Sequence, residues 1–181
     1  MTDAPPTTAP VPESVLRALD ALDAPWTLVR HTDLDEPVRS AADVARQLGL
    51  DPGDITKTLL VTRRPGSDAH ALVVVPVDGR MDPVAVAGTL GWEQIALASP
   101  VELARAGQTV GGVSPLGTPF VVVVEEALLA RPRVLVGAGT PGVEIGIDPR
   151  VLLEAVGGRA APVTGSGART GAGRADVGGG G

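Results

Sequence analysis

The chain has 181 residues, with 15 Lys or Arg against 21 Asp or Glu, a formal net charge of −6 and no cysteine. Without cysteine there is no disulfide framework or thiolate metal site, and two histidines, His31 and His70, supply zinc chemistry poorly; no metal or cofactor is expected. A protein that grips long stretches of phosphate backbone unaided is basic, so DNA binding is excluded and any RNA substrate is touched only at a short end, or with a partner's help.

Residues 1–12 (MTDAPPTTAPVP) carry four prolines and no hydrophobic period, and residues 158–181 are mostly Gly, Ala and Ser. Neither segment can bury enough apolar surface to offset the entropy of ordering it, so both read as disordered tails around one domain at 13–157. No apolar run approaches the ~20 residues that span a bilayer, and the N-terminus lacks the basic and apolar regions of a secretory signal. The expectation is a cytosolic protein with no membrane partner.

Glu13 to Asp23 puts Val15, Leu16, Leu19 and Leu22 on one helical face, and Pro25 ends it. Trp26 to His31 reads as a strand. Ser40 is placed to cap a helix over Ala41 to Leu48, which Gly49 closes. Ile55 to Thr62 and Ala71 to Val77 read as two strands of a long-looped hairpin. Asp82-Pro83, Ser99-Pro100 and Asp148-Pro149 each set a capping oxygen before a proline and announce three short helices. Strands are expected at Gln94 to Ala98, Phe120 to Val124, Arg133 to Val136 and Val143 to Ile147. The run Phe120 to Val124 is apolar at every position and should be covered on both faces. The fold class is α+β: a mixed, strongly curved, barrel-like sheet surrounded by short helices.

Lys57 stands out because the chain has fourteen arginines and this one lysine, set inside an apolar strand. Alternation places it on the face of Ile55 and Leu59, so it either reaches a pocket or guards an exposed strand edge. The segment Gly111-Gly112-Val113-Ser114-Pro115 is the second feature. Adjacent glycines let backbone N–H groups approach a carbonyl oxygen or a ribose, although a plain connector has the same composition. It is neither a phosphate-binding loop nor a nucleophile elbow. Glu144 follows a tight turn and faces oppositely to Val143 and Ile145, either toward a substrate amine or water or toward solvent. His31 ends a strand just before acidic residues and is a candidate ligand contact. His70 lies in a hairpin loop and should be exposed. No Ser-His-Asp triad can be assembled.

Several segments together resemble the YbaK/EbsC family, freestanding relatives of the editing domain of bacterial prolyl-tRNA synthetases. They are ESVLRALDALD, WTLVRH, AADVARQLGLDPGDITKTLLV, ALVVVPVDGRMD, VGGVSPLG and VEIGIDPRVLLEAVG, in family order. The pairing of Lys57-Thr58-Leu59-Leu60 with Gly-Gly-Val-Ser-Pro is closer to the cysteinyl-tRNA(Pro) deacylase branch than to the alanine-specific one. The resemblance implies trans-editing: hydrolysis of the ester joining a wrong amino acid to a tRNA 3′ end, with prolyl-tRNA synthetase as a possible partner. It assigns Lys57 a catalytic contact near the ester, and substrate contacts to His31, Gly111, Gly112, Val113, Ser114, Pro115 and Glu144. Attack by a substrate thiol, a ribose hydroxyl or a positioned water then needs no protein nucleophile. This chain departs from the family where basic residues are common, after Gly117 and at Thr140-Pro141. A non-catalytic aminoacyl-, nucleotide- or synthetase-binding module on the same fold is the alternative.

Overall fold

The local chemistry of the chain sets most of the element boundaries. The computed structural model describes residues 10–165. Helix α1 (Glu13–Asp20) ends earlier than its apolar period suggested and buries Val15 and Leu19. After strand β1 (Trp26–Arg30) comes helix α2 (Ala41–Leu48). Its Ser40 and Asp43 form a reciprocal capping box, and Gly49 closes it at φ +65°. Strands β2 (Thr56–Thr62) and β3 (His70–Pro76) form the antiparallel hairpin, and the short β4 (Arg80–Met81) leads into α3 (Pro83–Leu90). Next come β5 (Ala96–Leu97), α4 (Pro100–Arg105), β6 (Val121–Glu125), β7 (Val134–Gly137), β8 (Val143–Ile147) and α5 (Pro149–Ala155). Asp82, Ser99 and Asp148 each accept backbone N–H bonds at the start of their helices, as the Asp/Ser-Pro pairs predicted.

The chain continues in the fold past Gly157, where the sequence reading ended the domain. Strand β9 (Arg159–Ala161) adds in parallel to β6, β10 (Thr164–Gly165) pairs with β4, and Val163 is fully buried. A buried carboxylate holds this segment, which composition alone could not reveal. Glu125 Oε2 accepts the Val163 and Thr164 N–H groups at 2.8 and 2.7 Å and the Thr164 hydroxyl at 2.9 Å. At the other end Val11 is buried and the Pro10 carbonyl accepts the Thr140 hydroxyl at 2.8 Å, so order begins before residue 13. The rest of the expected tails, 1–9 and 166–181, lies outside the described residues.

Three open sheets replace the expected barrel-like one: β1-β8-β7, β10-β4 and the mixed β5-β2-β3-β6-β9. Closure would need continuous pairing between β2 and β7, and the backbone pairing here is one isolated parallel bridge, from Ile55 just before β2 to Leu135. The Thr56 hydroxyl reinforces that junction by donating to the Leu135 carbonyl at 2.7 Å. The large sheet is covered on both faces, as the apolar run in β6 required. Val122 and Val124 join the main core with Leu72, Ile145 and Leu152, while Val123 packs opposite them with Val61, Val73 and Val86. A third cluster of Val44, Ala45, Ile55 and Leu135 seats α2 over the junction of the two sheets.

Candidate functional site

A cleft of about 190 Å³ lies at this junction, and it gathers most of the residues singled out from the sequence. Lys57 comes from β2, His31 from the turn after β1, Glu144 from β8, and Gly111, Gly112 and Val113 from the loop before β6. The turn that brings β7 back as β8 is pressed against that loop. A Cβ on Gly112 would sit 2.6 Å from both the Pro141 nitrogen and the Thr140 carbonyl carbon, and one on Gly137 would collide with the Val113 carbonyl. Only glycine permits these backbones to pass so closely. The His31 N–H donates to the Gly142 carbonyl at 2.9 Å, which fixes the histidine at the mouth of the same turn.

His31 Nε2 and Glu144 Oε2 stand 3.4 Å apart, with side chains 28% and 16% exposed. Both atoms are shielded from solvent, and neither has a hydrogen-bond partner among the described residues. Burial pushes the Glu144 carboxyl above its ordinary value, and the neighbouring His31 offsets only part of that rise. The Thr58 hydroxyl, also on the cleft wall, is a third buried polar atom without a partner. Buried polar groups without a protein partner are costly, and a polar ligand can satisfy them.

Not every expected residue faces this space. Ser114 is 1% exposed, its hydroxyl accepts the Leu116 N–H at 3.2 Å, and its own N–H donates to Gln108 Oε1. Ser114 and the buried Pro115 brace the loop from behind, because the serine side chain turns back into its own backbone. The Lys57 ammonium donates to the Val77 carbonyl at 3.2 Å. His70 is half-buried rather than exposed, opening β3 with its ring 5.6 Å from Phe120 and Nδ1 against the Asp68 carbonyl. Sequence reasoning passed over Thr56 and Thr58. The signal is three hydroxyls, Thr56, Thr58 and Thr62, on one face of a strand that is otherwise apolar but for Lys57.

The family model of the aminoacyl-tRNA editing domain matches residues 35–155, from the turn before α2 to the end of α5. The chain belongs to the aminoacyl-tRNA editing domain family. A segment of 104 residues, 56% of the chain, is 32% identical to the proline–tRNA ligase of Pelobacter propionicus but spans only 18% of that enzyme. Over 128 residues the chain is 30% identical to EbsC of Enterococcus faecalis, named as a candidate Cys-tRNA(Pro)/Cys-tRNA(Cys) deacylase. That match covers 69% of this chain and 77% of EbsC. Among solved structures, a candidate trans-editing enzyme for prolyl-tRNA synthetase superposes with a TM-score of 0.70 at 27% identity, covering 87% of this chain and all of that one. These findings bear out the YbaK/EbsC resemblance, and with it the enzyme class, aminoacyl-tRNA deacylation. Among the described residues of this editing domain no helix is long and apolar enough to cross a membrane.

Proposed function

We propose that the protein is a trans-acting editing deacylase of the cytosol that removes a small wrong amino acid from tRNA for proline, cysteine first and alanine second. The observation that carries this reading is the shielded group of unpartnered polar atoms, His31 Nε2, Glu144 Oε2 and Thr58 Oγ1, lining a cleft of small volume. Ligand pockets for larger molecules run to ~300–1,000 Å³, so this one suits an aminoacyl group and little more. EbsC, named for action on Cys-tRNA(Pro), supports the choice of amino acid.

In this reading Glu144 receives the substrate's α-ammonium, whose charge compensates the buried carboxylate. His31 fixes that carboxylate from the opposite side. The Thr58 hydroxyl bonds the ester or ribose oxygen, and the Gly111 to Val113 backbone closes over the carbonyl. Lys57 leaves the Val77 carbonyl to place positive charge where the carbonyl oxygen gains negative charge. A positioned water, or the substrate's own thiol, adds to the carbonyl carbon, with the neighbouring ribose hydroxyl placed to relay the nucleophile's proton. The bond to the tRNA ribose then breaks, and the nucleophile's proton passes to the departing ribose oxygen. The domain grips only the tRNA 3′ end, in keeping with its acidic charge, and prolyl-tRNA synthetase is the proposed partner that holds the rest.

The test is a deacylation screen over Cys- and Ala-tRNA(Pro), with and without prolyl-tRNA synthetase, using wild type, Lys57→Ala and Glu144→Gln. Wild type should release the amino acid, and either substitution should slow release by about 10²-fold or more. Inactivity of wild type across the panel, with the synthetase present, overturns the proposal in favour of a binding module. Full activity of Lys57→Ala removes that residue from the mechanism.

A further inference from the structure

The β2–β3 ladder fixes which way each backbone group of β2 points. Val77 N–H donates to the Ile55 carbonyl at 2.8 Å and Arg63 N–H to the Ala69 carbonyl at 3.1 Å, so the odd-numbered residues 55 to 63 bond toward β3. Thr56, Thr58 and Leu60 therefore bond outward. The Leu60 carbonyl is taken by Ala98 N–H at 2.9 Å, and Thr56 lies beside the Ile55–Leu135 bridge. Because β5 is only Ala96–Leu97 and pairs at Val61 and Thr62, no described strand stands opposite Thr58. Its N–H and C=O lie at the gap between β5 and the end of β7, where Gly137 shares the cleft lining with Thr58.

The two faces of β2 at this gap carry two different surfaces. On one is the cleft with the Thr58 hydroxyl. On the other is a groove of about 350 Å³ walled by Leu59, Met81, Ile95 and Leu97, with Lys57 and Arg80 as its charged residues and no carboxylate in its lining. Lys57 borders both spaces. In a chain of net charge −6, an apolar slot beside two cations complements a flat base joined to a phosphate.

We propose that this groove seats the terminal adenine of the tRNA, with the nucleoside straddling the open edge of β2. The inference rests on the editing reading and extends it to the nucleotide. The ester and the base hang from the same ribose, and the cleft of about 190 Å³ has no room for both. The ribose crosses the gap, where the Thr58 N–H and C=O meet its ring and hydroxyl oxygens. The base lies between Met81 and the aliphatic side chains of Ile95 and Leu97, and Arg80 takes the 5′ phosphate. With one Phe and no Tyr in the chain, aliphatic walls and a polarisable thioether take the part aromatic rings play elsewhere.

The test is binding, independent of turnover: calorimetric titration of the trinucleotide cytidylyl-cytidylyl-adenosine, and of the same molecule with an abasic 3′ residue. The proteins are wild type, Met81→Trp, which fills the slot, and Leu97→Asp, placed at a side chain 61% exposed so that the fold is kept. Wild type should bind the intact trinucleotide about tenfold or more tightly than the abasic one, the order brought by one seated base. Both variants should lose that preference. Wild type binding the two probes equally, or binding neither, overturns the groove assignment, as does an undiminished preference in both variants. A lost preference with no deacylation by wild type keeps the groove and overturns only the catalytic reading.

Discussion

Glu144 Oε2 and His31 Nε2 face each other across 3.4 Å in the lining of the cleft, each atom shielded from water and neither hydrogen-bonded. They join the start of β8 to the turn after β1, two segments already in register through the Arg30–Val143 pair. A buried acid with one imperfect partner is costly, and on the proposed function the substrate's amine would offset that cost.

The pH dependence of stability follows from this pair. Burial raises the Glu144 carboxyl in the folded state, so folding favours its protonated form. The stability this brings is complete below the ordinary carboxylate value and is lost as pH rises through the folded-state value. Glu144→Gln removes the ionising group. Thermal midpoints from pH 4 to 8 should therefore fall less steeply for the variant, and at pH 8 it should melt above wild type. A variant less stable than wild type at pH 8 contradicts the burial argument.

Two of the hydroxyls of β2, those of Thr56 and Thr58, should separate stability from function. Thr56 holds β2 to β7 through the Leu135 carbonyl, so Thr56→Val should cost about 1 kcal/mol in urea unfolding. Thr58 has no partner to lose, so Thr58→Val should leave stability unchanged or slightly raised while deacylation falls. Equal destabilisation by both would show that the Thr58 hydroxyl is satisfied.

Gly112→Ala tests the close passage of the two backbones. Its methyl would lie 2.6 Å from the Thr140–Pro141 peptide, against backbone that cannot swing aside as a side chain would. The expected cost is about 1–3 kcal/mol, with a displaced loop and a sharp loss of activity. Calorimetry beside the deacylation assay measures both.

Glu125→Ala should release the C-terminal segment. It strands the Val163 and Thr164 N–H groups and exposes the buried Val163, at a cost of about 3 kcal/mol. Hydrogen exchange should show early loss of protection in β9 and β10, with the cleft side of β2 still protected.

What the sequence disclosed, and what it withheld, divides along physical lines. Ser40, Asp82, Ser99 and Asp148 act on N–H groups two or three residues away, so the helix starts were readable. The apolar run of β6 announced a doubly covered strand for a similar reason. Glu125 acts on residues near 163, and no local pattern records that, so the end of the fold was placed too early. Within the site, His31, Lys57, Glu144 and the Gly111 to Val113 backbone were anticipated and do share one cleft. Ser114 was not separable from its neighbours, because a serine that bonds its own turn is spelled like one that bonds a ligand. Alternation set Glu144 apart from Val143 and Ile145, but only packing decides that its side faces His31 rather than solvent.

The single bridge between Ile55 and Leu135 has a consequence for substrate choice. With one wall of the cleft belonging to each sheet, its width depends on how the two sheets meet at that bridge. Val44 and Ala45 beneath α2 pack on Ile55 and Leu135, so substitutions there should shift that meeting without touching the cleft lining. On the proposed function, the preferred amino acid should therefore respond to residues beneath α2 as well as to those bordering the cleft.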